Sequence, residues 1–552
     1  MIPTKHTQVL IIGSGPVGMT LALDLAQRGV SCIVAEQRTA DALPSPKCNH
    51  ISARTMETFR RLGIVSKVRN TGLPPDYPND VAYRLSFTGQ ELSRIPIPAR
   101  QDRYTASEGP DTWWPTPEPP HRINQIYLEP VLQDCVRERQ GVELLNEVQV
   151  LSFEQDEQGV TAQCRSLSDG SEFTVHAQYL VGADGGRSLV RKTIGASLHG
   201  TAVVSRVQSS FLRAPGLLQR MQAAPAWATF SVNAKRSGNV YAIDGKELWI
   251  VHNYLRDAEP DFESVDRDEC LRAILGVDED FEYEILSKED WFGRKLIADK
   301  FRDRRAFICG DAAHLWVPMA GYGMNAGIAD AMNLSWQLAA HLNGWAPASI
   351  LEAHERERKP ITEQVGHFAM GHAVELMRKA QSVPAHIEDD TPEGEAARQE
   401  FGKVLYELNV QQYCCAGLNF GYYYDDSPII AYDGTTQPAY AMGSFTASTV
   451  PGCRTPHIWL DNGSSLYDAM GSDFSLLCSD ENLDTSALEQ AAQALNFPLK
   501  VLKLKELSLH PEYSHRLVIS RPDQHVGWRG QDLPDDLAAL LNSLRGGALE
   551  KA

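Results

Sequence analysis

A short apolar run, Val9–Ile12, stops at Gly13-Ser14-Gly15-Pro16-Val17-Gly18. Four apolar residues closed off by glycines predict a buried strand. A helical pattern then runs to Gln27, with Gly29 as its stop, and a second apolar strand, Cys32–Ala35, ends on Glu36. Strand, turn, helix and strand within about thirty residues make the unit of a Rossmann-type fold. Two further apolar segments lie far downstream: Tyr179–Ala183, before Asp184-Gly185, and Ala306–Cys309, ending at Gly310-Asp311. Alternation at Thr229–Val232 and Leu248–Val251 predicts an antiparallel sheet between residues 200 and 300. From Ile361 to Tyr424 the pattern is mostly helical, and residues 427–456 are looser. Phe474–Cys478, Val501–Leu504, Leu517–Ser520 and His525–Trp528 read as the strands of a small α/β domain.

The pattern predicts an α/β chain with a discontinuous nucleotide-binding domain at 1–70, 120–195 and 300–360. An antiparallel-sheet domain at 71–119 and 196–299 interrupts it; a helical segment and linker occupy 361–450, and the closing domain 451–552. Composition changes little in this picture. A net charge of −19 argues against nucleic acid and anionic membrane partners, which demand clustered cations. The N-terminal apolar run is too short to span a bilayer, and no cleavage pattern follows it, so a cytoplasmic chain is expected. Ten cysteines without a CxxC pair predict reduced thiols, and no Cys/His spacing suggests a metal.

The glycines carry the chemistry. Gly13 permits a tight turn, Gly15 lets a pyrophosphate approach the backbone, and Gly18 allows close helix–strand packing. Pro16 and Val17 begin the helix whose free N–H groups meet the phosphates, and Glu36, with Gln37 beside it, stands where a ribose hydroxyl would bind. This fingerprint alone does not separate FAD from NAD. The run Phe307-Ile308-Cys309-Gly310-Asp311-Ala312-Ala313-His314, followed by Pro318 and Gly321-Tyr322-Gly323-Met324-Asn325-Ala326-Gly327, points to FAD. A strand ending in Gly-Asp sets a carboxylate against a polyol, and a glycine-rich turn opening a helix aims N–H groups at charge on a reduced isoalloxazine.

On these motifs the chain resembles the class A, single-component FAD-dependent aromatic monooxygenases, in particular the phenol and chlorophenol hydroxylase branch. The resemblance spans nearly the whole chain. It implies that Asp311 and Gly310 meet the ribityl chain, and that Pro318, Gly323, Met324, Asn325, Ala326 and Gly327 lie near the flavin. Gly182-Ala183-Asp184-Gly185-Gly186-Arg187 resembles the Asp-Gly motif of the family and adds Asp184; Arg187 and Arg191 read equally as phosphate partners or surface charges. Pro46–Glu57 is similar to the segment covering the flavin, which implicates Lys47, where the family usually has Arg, and Arg54. Gln125 matches a further position near the FAD. Some phenol hydroxylases carry an Asp as substrate base where this chain has Asn49, so His50 is the candidate base. Trp113, Trp114, Trp291 and Tyr422–Tyr424 carry no assignment. The tail, through Gly452–His457 and Arg521–Arg529, resembles a thioredoxin-like domain without its dithiol, structural or packing between subunits of a homodimer. The implied reaction uses NADPH or NADH and O₂ to hydroxylate a small phenolic or related aromatic compound through a C4a-hydroperoxyflavin. Epoxidation, Baeyer–Villiger oxygenation and a non-catalytic flavin sensor are the alternatives.

Overall fold

The opening strand, Thr4–Ile12, is covered on both faces, and Val9, Leu10 and Ile11 are wholly buried. Double coverage explains why its inner half reads as a continuous apolar run rather than an alternation. The computed structural model describes residues 3–317, 321–381 and 383–547. Thr4–Ile12 lies parallel between Cys32–Ala35 and Glu172–Gly182. Val142–Leu145 extends the sheet on one side and Ala306–Ile308 on the other, both parallel. A hairpin, Val148–Gln155 with Val160–Ser166, attaches antiparallel to Glu172–Gly182. The four strands that carry the glycine motifs and Glu36 therefore end on one edge, as ligand-binding α/β sheets require. Helix Pro16–Gln27 packs on this sheet and against the long buried helix Tyr322–Leu342.

The second sheet runs in the order His314–Leu315, Glu284–Ala298, Leu198–Arg213, Leu248–Tyr254, Gly238–Ala242, Ala228–Ser231, Val81–Arg84 and Glu91–Ile95. Its neighbours are antiparallel except Ala228–Ser231 with Val81–Arg84, which are parallel. The chain leaves for the first sheet between these two strands, so no hairpin forces them antiparallel. Its core includes Trp249, with Phe87 edge-on to it at 5.0 Å between ring centres. The long strand Glu284–Ala298 links the two halves, because Leu296 and Ile297 pair with Leu315 and His314, immediately after Asp311.

Helices Ala353–Gln381, Pro392–Tyr413 and Ala416–Phe420 fill the stretch expected to be helical. The thioredoxin-like tail has Phe474–Cys478 parallel to Leu499–Lys503 and antiparallel to Leu517–Ser520, which pairs with Val526–Gly530. Its Phe474 packs edge-on to Trp336 and Trp345, at 5.9 and 6.1 Å, so the tail shares a core with its own chain. Arg521 and Glu357, both fully buried, join at 2.6 Å across that contact. No helix among the described residues is long and apolar enough to cross a membrane.

Candidate functional site

The first three glycines do different work. Gly13 has φ +104°, and a Cβ there would sit 2.3 Å from the Ala183 carbonyl oxygen. At Gly18 a Cβ would sit 2.1 Å from the Gly13 oxygen, so both positions hold backbone against backbone. A Cβ at Gly15 would meet nothing within 4 Å: its surroundings are open. Gly15 caps the helix without a side-chain hydrogen bond, and Pro16 follows, so the N–H groups of the first turn stay free. Beside them lies a cavity of about 160 Å³ lined by Gly13, Gly15, Glu36, Gln37, Val148 and Asp184, among others. Glu36 accepts from Ser14 N–H at 3.0 Å, Ser14 Oγ at 2.8 Å and Arg38 N–H at 2.9 Å. Burial pushes its pKa up, but these bonds and the Arg38 charge outweigh it and hold the carboxyl below its usual range. Asp184 spends Oδ2 on the N–H groups of Leu189 and Val190, while buried Oδ1 has no protein partner.

The second motif closes on the first. Gly310 has φ +60°, and a Cβ there would touch Val17 at 3.1 Å; one at Gly327 would press on Val17 at 2.7 Å and Gly310 Cα at 2.8 Å. Asp330, one turn further along the helix, accepts from Gly310 N–H at 3.1 Å, from His314 at 2.7 Å and from Arg358 at 2.8 Å. Burial opposes its charge, but His314 and Arg358 hold its pKa well below the usual range. Asp311 is exposed at the end of its strand, yet desolvation by the protein packed around its carboxyl raises its pKa, opposed by His314 and Lys47. Helix Tyr322–Leu342 begins at left-handed Gly321 with no side-chain cap, and Gly323 has open space around it. The residues present fit an extended FAD: two uncapped helix starts, a glycine cradle open where phosphate would enter, and an orphaned buried carboxylate oxygen.

Several expected side chains do other work. The Arg54 guanidinium lies 4.4 Å above the Tyr422 ring and 2.9 Å from His525 Nε2, on the side its helix turns to the tail. Met324 packs its side chain in the core cluster that holds Met19 and Leu23, so its backbone is the part left for a ligand. The Asn325 amide accepts from Ser52 N–H at 2.9 Å and donates to the Gly321 and His50 oxygens, pinning the loop to the turn. Gln125 donates to Glu129, whose carboxylate meets Arg38 at 2.9 Å, and Arg38 in turn pairs with Glu36. Lys47 ion-pairs with Glu289 at 2.6 Å and adds positive potential near Asp311. Arg187 is exposed, while Arg191 is buried and tied to the Gly186 and Ala312 carbonyls. Pro318 lies outside the described residues.

His50, the candidate base, is buried beside Arg122. The bridge Ile51–His121 brings His50 beside Arg122, whose Nη1 donates to His50 Nδ1. A guanidinium only donates, so the imidazole lone pair is occupied. Burial, then Arg122, Arg103 and His121, drive the His50 pKa well below its usual value. These surroundings favour the neutral imidazole, with Nδ1 accepting from Arg122.

On the face of the second sheet lies a cavity of about 740 Å³, walled by Tyr83, Phe230, Tyr254, Asn239, Val204 and Leu405, among others. Tyr83, Phe230, Asn239 and His252 stand in one row across four strands, so their side chains share a face. Ser205, also in the wall, is next to Gly293, and Val317 lies against that glycine. Near the wall residues Tyr83 and Tyr254 lies Tyr413, and next to it Arg122 and the ion pair of Arg103 with Asp111. Sequence reasoning missed all four, although Asp111 stands two residues before Trp113.

The chain matches the FAD binding domain family over residues 6–369 and the aromatic-ring hydroxylase C-terminal family over residues 448–548. It is 30% identical to a phenol 2-monooxygenase from a Pseudomonas species, over 98% of this chain and 93% of that protein. The rebeccamycin biosynthetic enzyme RebC with reduced flavin superposes with a TM-score of 0.88 at 33% identity, over 98% of this chain and 99% of that one. The flavin-dependent monooxygenase PieE, solved with FAD and substrate, gives a TM-score of 0.83 at 26% identity over the full length of both chains.

Proposed function

Because the chain belongs to the FAD-dependent aromatic-ring monooxygenases, we propose that its substrate is a multi-ring phenolic compound held in the cavity on the second sheet. The chain is a flavoprotein monooxygenase that uses NAD(P)H and O₂ to hydroxylate an aromatic compound. The observation that carries the finer reading is the cavity volume of about 740 Å³. Pockets of about 300–1,000 Å³ suit drug-sized ligands, and a single phenol ring would leave most of this one filled with water.

In this reading the N–H groups after Gly15 bind the pyrophosphate and Glu36 a ribose hydroxyl. Asp311 would hold the ribityl chain, and the N–H groups at the helix start of Tyr322 would hold the pyrimidine end of the flavin. Bound FAD supplies the electron transfer from NAD(P)H and the activation of O₂. The protein positions the ring and keeps water out, and the aromatic wall of Tyr83, Phe230 and Tyr254 performs both tasks. We assign residues 1–70, 120–195 and 300–360 to the flavin domain and 71–119 and 196–299 to the substrate domain. The acidic composition and ten free thiols favour a cytoplasmic setting; the homodimer is tested by sedimentation.

The experiment measures NAD(P)H consumption and ¹⁸O incorporation from ¹⁸O₂ with phenol, naphthols and three-ring phenols. Hydroxylated product per NAD(P)H should rise with ring number, and phenol should mostly yield H₂O₂. Tight coupling with phenol and none with larger rings would reverse the assignment.

A further inference from the structure

Three buried hydrogen-bonding atoms without partners run from the large cavity toward His50: the Tyr83 hydroxyl, the Tyr413 hydroxyl and Arg122 Nη2. Tyr83 is part of the cavity wall. The Tyr413 hydroxyl lies within electrostatic range of Tyr83, Tyr241, Tyr254 and Arg122. Arg122 is 4% exposed, its guanidinium 4.1 Å from the centre of the Trp227 ring and 5.8 Å from that of Tyr413. Asp111 Oδ1 and Oδ2 and Arg103 Nε, in the same neighbourhood, also lack hydrogen-bond partners, so this cluster is under-satisfied as a group and has room for a further polar partner.

The charges say which kind of partner. Arg122 makes no ion pair among the described residues. The carboxylate in its neighbourhood, Asp111, is engaged by Arg103 at 2.9 Å, and both of those side chains are buried. Two guanidinium charges thus face one carboxylate, and His50, held neutral, accepts a hydrogen bond without supplying a charge. A buried excess of positive charge is costly unless something negative enters. Arginine has no acceptor, so the entering group must be an oxygen that accepts, and tyrosine hydroxyls can donate to the same atom.

We propose that Arg122, Tyr413 and Tyr83 form an anchor for an oxyanion carried by the aromatic substrate, a ring phenolate or a ring carboxylate. The proposal rests on the reading of the cavity as the aromatic-substrate site. His50 and Trp227 are positioning residues: one holds Nη1 and the other the guanidinium face. A phenol seated there is bound as the phenolate, its proton released to solvent. The ring then becomes the electron-rich partner that hydroxylation requires, without a side-chain base.

The test uses the flavin-loaded protein and three probes, 2-naphthoate, its neutral counterpart 2-naphthamide, and 2-naphthol, followed by flavin difference absorbance and calorimetry. A carboxylate anchor binds naphthoate roughly 10- to 100-fold tighter than naphthamide, the worth of one charged hydrogen bond. A phenolate anchor shows the naphtholate absorption band at a pH where free naphthol is neutral. Either result supports the proposal, and together they identify the source of the oxyanion. Arg122→Gln should abolish the effect and Arg122→Lys should restore part of it, keeping the charge but not the fork. Tyr413→Phe removes one hydroxyl at nearly constant volume and should weaken the anionic probe by about tenfold, which keeps the proposal falsifiable if Arg122→Gln folds poorly. The flavin should stay bound in every variant. A flavin-replete wild type with no preference for either anion, or an Arg122→Gln variant that keeps the preference, overturns the anchor alone. A wild type that takes up no flavin overturns the monooxygenase reading and the anchor with it.

Discussion

Gly15 and Gly18 stand three residues apart in one turn, yet a methyl group at each should fail in a different way. At Gly15 the added Cβ meets no protein atom within 4 Å, and the backbone there, φ −71° and ψ 176°, is open to any residue. Gly15→Ala should therefore leave the apoprotein's stability unchanged to within about 0.5 kcal/mol. The empty space is where the cradle would admit a pyrophosphate. Losing two charge-assisted backbone hydrogen bonds, at about 1.5–3 kcal/mol each, costs about 3–6 kcal/mol of FAD binding. That is a loss of roughly 100- to 10,000-fold in affinity. At Gly18 the added Cβ would lie 2.1 Å from the Gly13 carbonyl oxygen, and backbone must move. Overpacking of this kind costs about 1–3 kcal/mol before any ligand arrives. Thermal unfolding of the apoprotein by circular dichroism, with FAD titration by fluorescence quenching, separates the two. If Gly15→Ala binds FAD within about threefold of wild type, or its apoprotein melts as early as Gly18→Ala, the assignment of this cradle to pyrophosphate is wrong.

Asp330→Ala should cost about 3–5 kcal/mol, because it strips buried Arg358 of its carboxylate, and should also weaken FAD by freeing Gly310 and His314. Asp330→Asn should fall between, and an Asp330→Ala protein that melts with wild type refutes the account. The buried histidines make a pH prediction: burial brings His252, His354 and His457 down to about 4 and His121 to about 3. Below about pH 6.5 the unfolded chain accepts protons that these folded sites refuse, so unfolding takes up protons and stability falls with pH. Each contributes about 1.4 kcal/mol per pH unit between its unfolded and folded values. The apoprotein's melting midpoint should drop steadily from about pH 6.5 to about pH 5, and a midpoint that holds level across that span contradicts it.

What was legible in the chain is what local chemistry alone can decide. The strand ends at Ile12, Ala35, Gly182 and Ile308 follow from short apolar runs stopped by glycine or an acid, and the sheet aligns all four. The segment carrying Arg54 was matched only through the family resemblance, and neither the Ser52 cap of its helix nor that helix's rotation was read from the sequence. Which face meets the cradle and which meets Tyr422 and His525 is set by a tail more than 350 residues later. Arg191 shows the same limit. Its even choice between phosphate and surface omitted the observed answer, two backbone carbonyls, one of them at Ala312. Arg122, in His121-Arg122-Ile123-Asn124, carries no local mark at all. Its neighbours His50, Trp227 and Tyr413 come from three distant segments.

The contrast between the two halves of the site has a physical cause. The flavin side is built mostly from backbone: N–H groups at uncapped helix starts and glycines whose missing Cβ is fixed by contacts of 2.1–2.8 Å at Gly13, Gly18 and Gly327. Only glycine satisfies those contacts, so the composition of the motif reports the geometry directly. The substrate side is built from side chains on a sheet face, where Tyr83, Phe230 and Asn239 project from a register shared by any residue at those positions. Replacing one of them changes what the cavity accepts while leaving the ladder and the cradle intact. His50 sits where the halves meet, its Cβ 3.0 Å from the position a side chain would take at Gly321 and its ring on Arg122. Packed that tightly and held neutral, it serves as a strut between the cofactor turn and the substrate anchor, and the charge that ionises the substrate comes from the guanidinium it holds.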